Sequence, residues 1–175
     1  GLIGLRLAAK FEDRFEKIIT ANTGLPTGKA QLSDAFGVFR EFLQIKPDLH
    51  VGGQIRNGTT KGTNDDALAA YNAPFPNEDH KQGVRQFPNL VPATLRTPSA
   101  EPNKEAWNIL RQWEKPFLCA FSDKDPIFAG VENSFLKLVP GCKDMPHVTI
   151  ENAGHFLQED QPEACVDAIL SIKEL

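Results

Sequence analysis

Two groups in this sequence could share a proton. His155 sits at the centre of ENAGHFLQED (151–160), and two carboxylates, Asp123 and Asp125, sit in FSDKDP (121–126). An imidazole whose Nδ1 proton is accepted by a carboxylate keeps one tautomer and gains support for its protonated form. Nε2 is then free to take a proton from water or a hydroxyl. Asp125 is the preferred partner, because the proline after it ends the preceding run and turns the chain at a rim. Asp123, one step back, reads as a cap or a solvent-facing group. The bland alternative is an ordinary loop histidine beside an ordinary D-x-D-P turn.

These residues need elements that bring them together. KPFLCAFS (115–122) is a continuous apolar run, the pattern of a strand buried on both faces of a parallel sheet, and PHVTIEN (146–152) reads as a second such strand. RFEKIITANTG (14–24) reads as an earlier strand ending near residues 21–23, where it offers Asn22 and Thr23 but no carboxylate. The first eleven residues, apolar nearly all round, read as a buried helix. Ser33 and Asp34 can cap a helix with Phe36, Phe39, Phe42 and Leu43 on one face, whereas 47–65, rich in glycine and without a period, reads as loop. NDDALAAY (64–71) is a short helix, and EDHKQGVRQF (78–87) is another, stopped by Pro88. A Pro-rich connector then leads to a helix opened by Asn103, with Ala106, Trp107, Leu110 and Trp113 on one side. The last helix, opened by Gln161 and Pro162, turns Ala164, Cys165, Ala168, Ile169 and Ile172 inward.

Alternating helices and strands at both ends point to an α/β fold, and an acid followed along the chain by a histidine is the order of the last two members of an α/β-hydrolase triad, so part of such a sheet, its last three parallel strands, is expected. A mostly helical block is inserted into it. The expected division is 1–28 with 101–175 as core, and 29–100 as cap. Chemistry in such sheets collects at the carboxyl ends of the strands, where Asn22, Asp123, Asp125 and His155 all fall.

Bulk properties narrow the function. One domain is expected from 175 residues, 41% of them hydrophobic. A net charge of −4 argues against nucleic acid and anionic lipid, whose binding depends on Lys and Arg displacing counterions. No apolar run is long enough to span a membrane, and the first residues do not read as a signal peptide. Cys119, Cys142 and Cys165, with no C-x-x-C pair, read as buried thiols of a reducing compartment, the cytoplasm.

Other chemistries find less support. The nearest match to a nucleophile elbow, Gly58-Thr-Thr-Lys-Gly62, follows no buried strand and reads as coincidence. His50, His80, His147 and His155 lie far apart without metal-ligand spacing, and nucleotide-binding glycine motifs are absent. Trp107 and Trp113 read as packing.

The strings ANTGLPTG (21–28), AAYNAPFPNEDHKQGVRQFPNLVP (69–92), KPFLCAFSDKDPI (115–127) and AGHFLQED (153–160) together resemble the haloalkane dehalogenases over nearly the whole chain. The resemblance implies a carboxylate that displaces halide from carbon, forming an alkyl ester that a histidine-activated water hydrolyses, with no cofactor. It gives His155 the role of base and Asp125 that of its acid. Phe87, Pro88, Val91, Ile127 and Phe128 correspond to the lining of an apolar pocket for a small halogenated substrate, with water as co-substrate. That family's elbow reads Q-D-W-G ahead of a segment like GLIGLR. The nucleophilic Asp and the halide-holding Trp would therefore precede Gly1, in an amino-terminal part of the same fold. A second indole donor is not found in the cap, and His80 stands where a cap tyrosine is common. A chain without the elbow is expected to be inactive alone. Two further readings stand beside this one. Another α/β hydrolase is possible, either an esterase or an epoxide hydrolase with Tyr71 as proton donor, and so is a binding module that keeps the scaffold without catalysis.

Overall fold

The structure, a computed structural model, describes residues 1–172. Its twelve α-helices and strands run α1 (Gly4–Lys10), β1 (Ile18–Thr20), α2 (Asp34–Ile45), α3 (Val51–Asn57), α4 (Asp65–Asn72), α5 (Gln82–Gln86), α6 (Ala100–Leu110), β2 (Phe117–Ser122), α7 (Glu132–Leu138), β3 (Val148–Ile150), α8 (Leu157–Asp160) and α9 (Pro162–Ser171). The three strands form a parallel sheet in the order β1-β2-β3. This is part of an α/β-hydrolase fold carrying a helical cap.

β2 is the spine of the sheet, and its apolar run leaves only Ser122 partly exposed. One face carries Phe117, Cys119 and Phe121 into a cluster with Leu110, Trp113, Phe135 and Val139; the other carries Leu118 and Ala120 towards Ile150, Leu157, Ala168 and Ile172. Alternation along one strand thus feeds two cores, which is the layering an α/β sheet requires. The register is stepped: Ile18–Thr20 pair with Phe117–Cys119, whereas Val148–Ile150 pair with Ala120–Ser122.

Several expectations need correction. β3 is not buried on both faces, since Val148 and Thr149 are exposed and only Ile150 is covered. α1 buries Leu5 and Ala8 but exposes Ile3 and Leu7 beside Arg6 and Lys10, so it has an apolar open face rather than a fully buried surface. In α9, Ala168 and Ile172 are inside, while Ile169 faces out. α6 begins at Ala100, three residues before Asn103, with Pro102 tolerated in the first turn, where its missing N–H leaves no bond unmade. The helix expected over 78–87 is α-helical only in α5, which ends at Gln86 just ahead of Pro88, and the chain goes on in a 3₁₀ turn, Phe87–Leu90.

The glycine-rich stretch read as loop contains α3. Its two glycines lower helix propensity, but Gly52 is there for contact: a Cβ on it would stand 2.8 Å from the Leu68 carbonyl oxygen of α4. Close approach of α3 to α4 overrides propensity. Asn72 of α4 closes the junction by accepting the Gly52 N–H at 2.9 Å.

Candidate active site

The three strand ends converge at one rim. β2 runs through Ser122 into Asp123, whose Oδ1 accepts the Ala153 N–H at 3.1 Å. Asp123 therefore braces the turn after β3, as a capping group should, and is exposed. Asp125 is 2% exposed. Its Oδ1 accepts the N–H of Ile127 at 2.8 Å, which fixes the carboxyl plane through the Pro126 turn, and its Oδ2 lies 3.0 Å from Nδ1 of His155. With a carboxylate facing Nδ1, that nitrogen carries the proton and Nε2 is left as the acceptor. The imidazole stacks on Phe128 at 5.7 Å between ring centroids and meets Phe156 edge-on at 4.8 Å.

The loop that carries His155 is held by two side chains: Asn22, which the sequence places at the rim without a role, and Asp160, which it does not single out. Asn22, buried just past β1 in a left-handed conformation (φ 37°), donates through Nδ2 to the carbonyls of Gly154 (2.9 Å) and His155 (3.0 Å) and to Ser122 Oγ (2.7 Å). Its Oδ1 accepts the Ser122 N–H at 2.9 Å. Asn is among the few residues that tolerate a positive φ. One amide therefore fastens three strand ends together. Asp160, 2% exposed, accepts the N–H groups of Gly154 (2.8 Å), Thr60 (2.8 and 3.0 Å) and Lys61 (3.0 Å). Burial alone would push its carboxyl up, but the donors from Gly154, Thr60 and Lys61 outweigh it and hold the carboxyl below the ordinary aspartate range. The Gly58–Gly62 stretch is thus a docking loop on the histidine turn.

A groove of about 830 Å³ opens beside the pair. Leu2, Leu25, Ile127, Phe128, Val131 and Trp107 supply apolar wall, and Phe87 and Val91 reach it from the cap. Pro88 is not in the wall, and Phe87 is 60% exposed. Phe128 joins the groove to the pair, since it lines the one and stacks on the imidazole of the other. The segment 21–28 along the groove is secured by α6: Asn103 Nδ2 donates to the Pro26 carbonyl at 2.6 Å, and Trp107 Nε1 to that of Leu25 at 2.7 Å. The Trp107 indole is committed to this bond and stacks on Phe135 at 5.4 Å, and Trp113 is wholly buried, so both act in packing.

Other candidates lie elsewhere. The Tyr71 hydroxyl donates to Glu159 at 2.6 Å; that bond pushes the phenol up from its ordinary value, and Tyr71 does not line the groove. His80 is exposed and pairs through Nδ1 with Asn77. His50 caps α3, and His147 accepts the Cys119 N–H. The three cysteines are free thiols, two buried and Cys165 half-buried. Among the described residues no helix is long and apolar enough to cross a membrane.

No protein-family model matches the chain. It is 50% identical over 163 residues to a haloalkane dehalogenase of Psychrobacter cryohalolentis, covering 93% of the chain and 54% of that protein. It is 39% identical over 170 residues to a haloalkane dehalogenase of Mycolicibacterium paratuberculosis, covering 97% and 56%. Among solved structures, the tetrameric haloalkane dehalogenase DpaA from Paraglaciecola agarilytica NO2 superposes with a TM-score of 0.82 at 27% identity, covering 99% of the chain and 56% of that structure. The chain spans about half the length of the curated relatives it matches.

Proposed function

The chain is a relative of the haloalkane dehalogenases, aligned along nearly all of its own length, and from that premise we propose that its residues supply the water-activating half of a carbon-halogen hydrolase. In the reaction, a carboxylate from outside these 175 residues attacks the carbon bearing halogen. A C–O bond forms, the C–X bond breaks, and its electron pair leaves as halide. His155 then takes a proton from water through Nε2, and the oxygen of that water attacks the ester carbonyl, releasing alcohol and restoring the carboxylate. The sum is R–X + H₂O → R–OH + X⁻ + H⁺. Asp125 stabilises the imidazolium formed in the second step.

The observation that carries this reading is the 3.0 Å contact between His155 Nδ1 and a buried Asp125 carboxylate at the strand rim. Ile127, Phe128, Val91 and Phe87 would meet a small apolar halide in the adjoining groove, with Pro88 supporting the turn that carries Phe87. Residues 29–100 act as the cap, and 1–28 with 101–175 as the core. The three free thiols fit a reducing compartment such as the cytoplasm. Epoxide opening is disfavoured by the engagement of Tyr71 with Glu159.

The test joins the amino-terminal part of the Psychrobacter relative ahead of Gly1 and compares that completed protein with its His155→Ala variant. The unaltered protein should turn over a small alkyl halide. His155→Ala should release about one equivalent of halide and then stall, with the alkyl adduct visible in the intact-protein mass and turnover reduced by about 10²–10⁴-fold. Undiminished turnover by the variant would refute the assignment of His155.

A further inference from the structure

We infer that Asp160 is a positioning residue for His155, and that through it the cap sets the alignment of the base. The inference rests on the dehalogenase reading and deepens it, since it concerns only the step that His155 serves.

Gly154, the residue ahead of the imidazole, is gripped at both of its backbone polar atoms, from opposite directions. The Gly154 carbonyl accepts from Asn22 Nδ2 and Ser122 Oγ, both of which belong to the sheet. The Gly154 N–H donates to Asp160 Oδ2, and the same carboxylate takes the N–H groups of Thr60 and Lys61 from the cap. A carboxylate satisfied by three backbone donors at 2.8–3.0 Å in a 2% exposed position is a strong, directional junction. Sheet and cap therefore meet at one residue, Gly154, the one that precedes the base.

Further contacts make the junction rigid. The Phe156 N–H donates to the Gly58 carbonyl at 3.2 Å, Thr60 Oγ1 to the Asn152 carbonyl at 2.8 Å, and Lys61 Nζ to the Asp160 carbonyl at 2.8 Å. Tyr71 of α4 adds its hydroxyl bond to Glu159, the neighbour of Asp160. Two glycines mark how closely the chains approach. A Cβ on Gly154 would stand 2.5 Å from the Gly58 carbonyl oxygen, and one on Gly58 would stand 2.6 Å from the ring of Phe156, which itself packs edge-on against the imidazole. A shift of the 58–61 loop is thus felt at His155 along two routes: through Asp160 and Gly154, and through Phe156. Cap loops with no anchor on the base could move without that consequence.

Replacing the carboxylate by an amide separates this role from simple support. In Asp160→Asn the shape is kept, but one oxygen becomes an NH₂ group facing backbone donors, so at least one of the three bonds is lost and the junction loosens. Because the imidazole acts on the ester and not on the carbon-halogen bond, only the second step should suffer. In the completed protein described above, single-turnover halide release and decay of the alkyl adduct are measured separately. The expected result is a 10-fold or greater slowing of adduct decay, with halide release within two-fold of the unaltered protein. Equal slowing of both steps, or no slowing of decay, would overturn the inference. Absence of a separable adduct in His155→Ala would instead count against the dehalogenase reading itself. If Asp160→Asn does not fold, Tyr71→Phe decides: it removes one hydroxyl from the same clamp, and adduct decay should slow about three-fold with halide release unchanged, whereas unchanged decay would overturn the inference.

Discussion

The core and the cap are built on opposite terms. Leu110, Trp113, Phe117, Leu118 and Phe135 are wholly excluded from solvent in the core, and none of the helices α1, α6, α7, α8 and α9 carries a side-chain hydrogen bond at its N-cap. In the cap, α4 and α5 bury no residue at all. There Ser33, His50 and Asn64 each accept a backbone N–H at the starts of α2, α3 and α4, and Asn77 does the same for the 3₁₀ turn at Glu78–Lys81, from which α5 continues without a side-chain cap of its own. Glu78 adds a polar staple, receiving Lys81 and Arg85 at 2.6 Å each, and those two cations hold its carboxyl down at about 2. Where burial is plentiful, helix ends need no dedicated caps. Where little apolar surface is covered, polar local bonds define the helices, and such regions open at lower free energy than the core.

Three substitutions would break or sharpen this contrast. Phe117→Ala, at the start of β2 and wholly buried, should cost about 3–5 kcal/mol through lost burial and a cavity, read in equilibrium urea unfolding of the 175-residue chain as a collapse of the whole transition. Gly52→Ala should cost about 1–3 kcal/mol by forcing α3 away from α4. Its signature is faster amide exchange in 51–72, with β2 protection unchanged. Asn64→Ala should cost about 1 kcal/mol by removing the acceptor of the Ala67 N–H, again with the exchange confined to α4 and its neighbour. A global loss of stability from Asn64→Ala comparable with that from Phe117→Ala would show that cap and core unfold as one unit, and the distinction would fail.

The same contrast explains what could be read in the sequence. β2 announces itself as an unbroken apolar run, and the turn at Pro126 marks the rim on which Asp125 stands, because both signals are local. α2 was legible through Ser33 for the same reason, and α4 as the short run NDDALAAY. α3 was not, since Gly52 reports a contact with α4 that no window along the chain contains. Asn22 was placed at the rim, but its bonds were hidden, and Asp160 was hidden altogether. Their partners lie about a hundred residues away or more in three directions, at Ser122 and Gly154 for the one and at Thr60 for the other. Nothing local to Asp160 marks it, and only the fold shows it to be buried. The exposed side of β3 misled for the opposite reason: HVTI has the composition of an inner strand, yet it lies at the edge of this three-stranded sheet.

The orientation of the Asn22 amide also decides where negative charge is allowed. Its nitrogen faces three oxygens, belonging to Ser122, Gly154 and His155, so an acid at that position would set lone pairs against lone pairs in a place shielded from water. The terminus of the first strand is closed to a carboxylate by polarity alone. The carboxylate that does meet the imidazole, Asp125, stands instead at the end of the neighbouring strand.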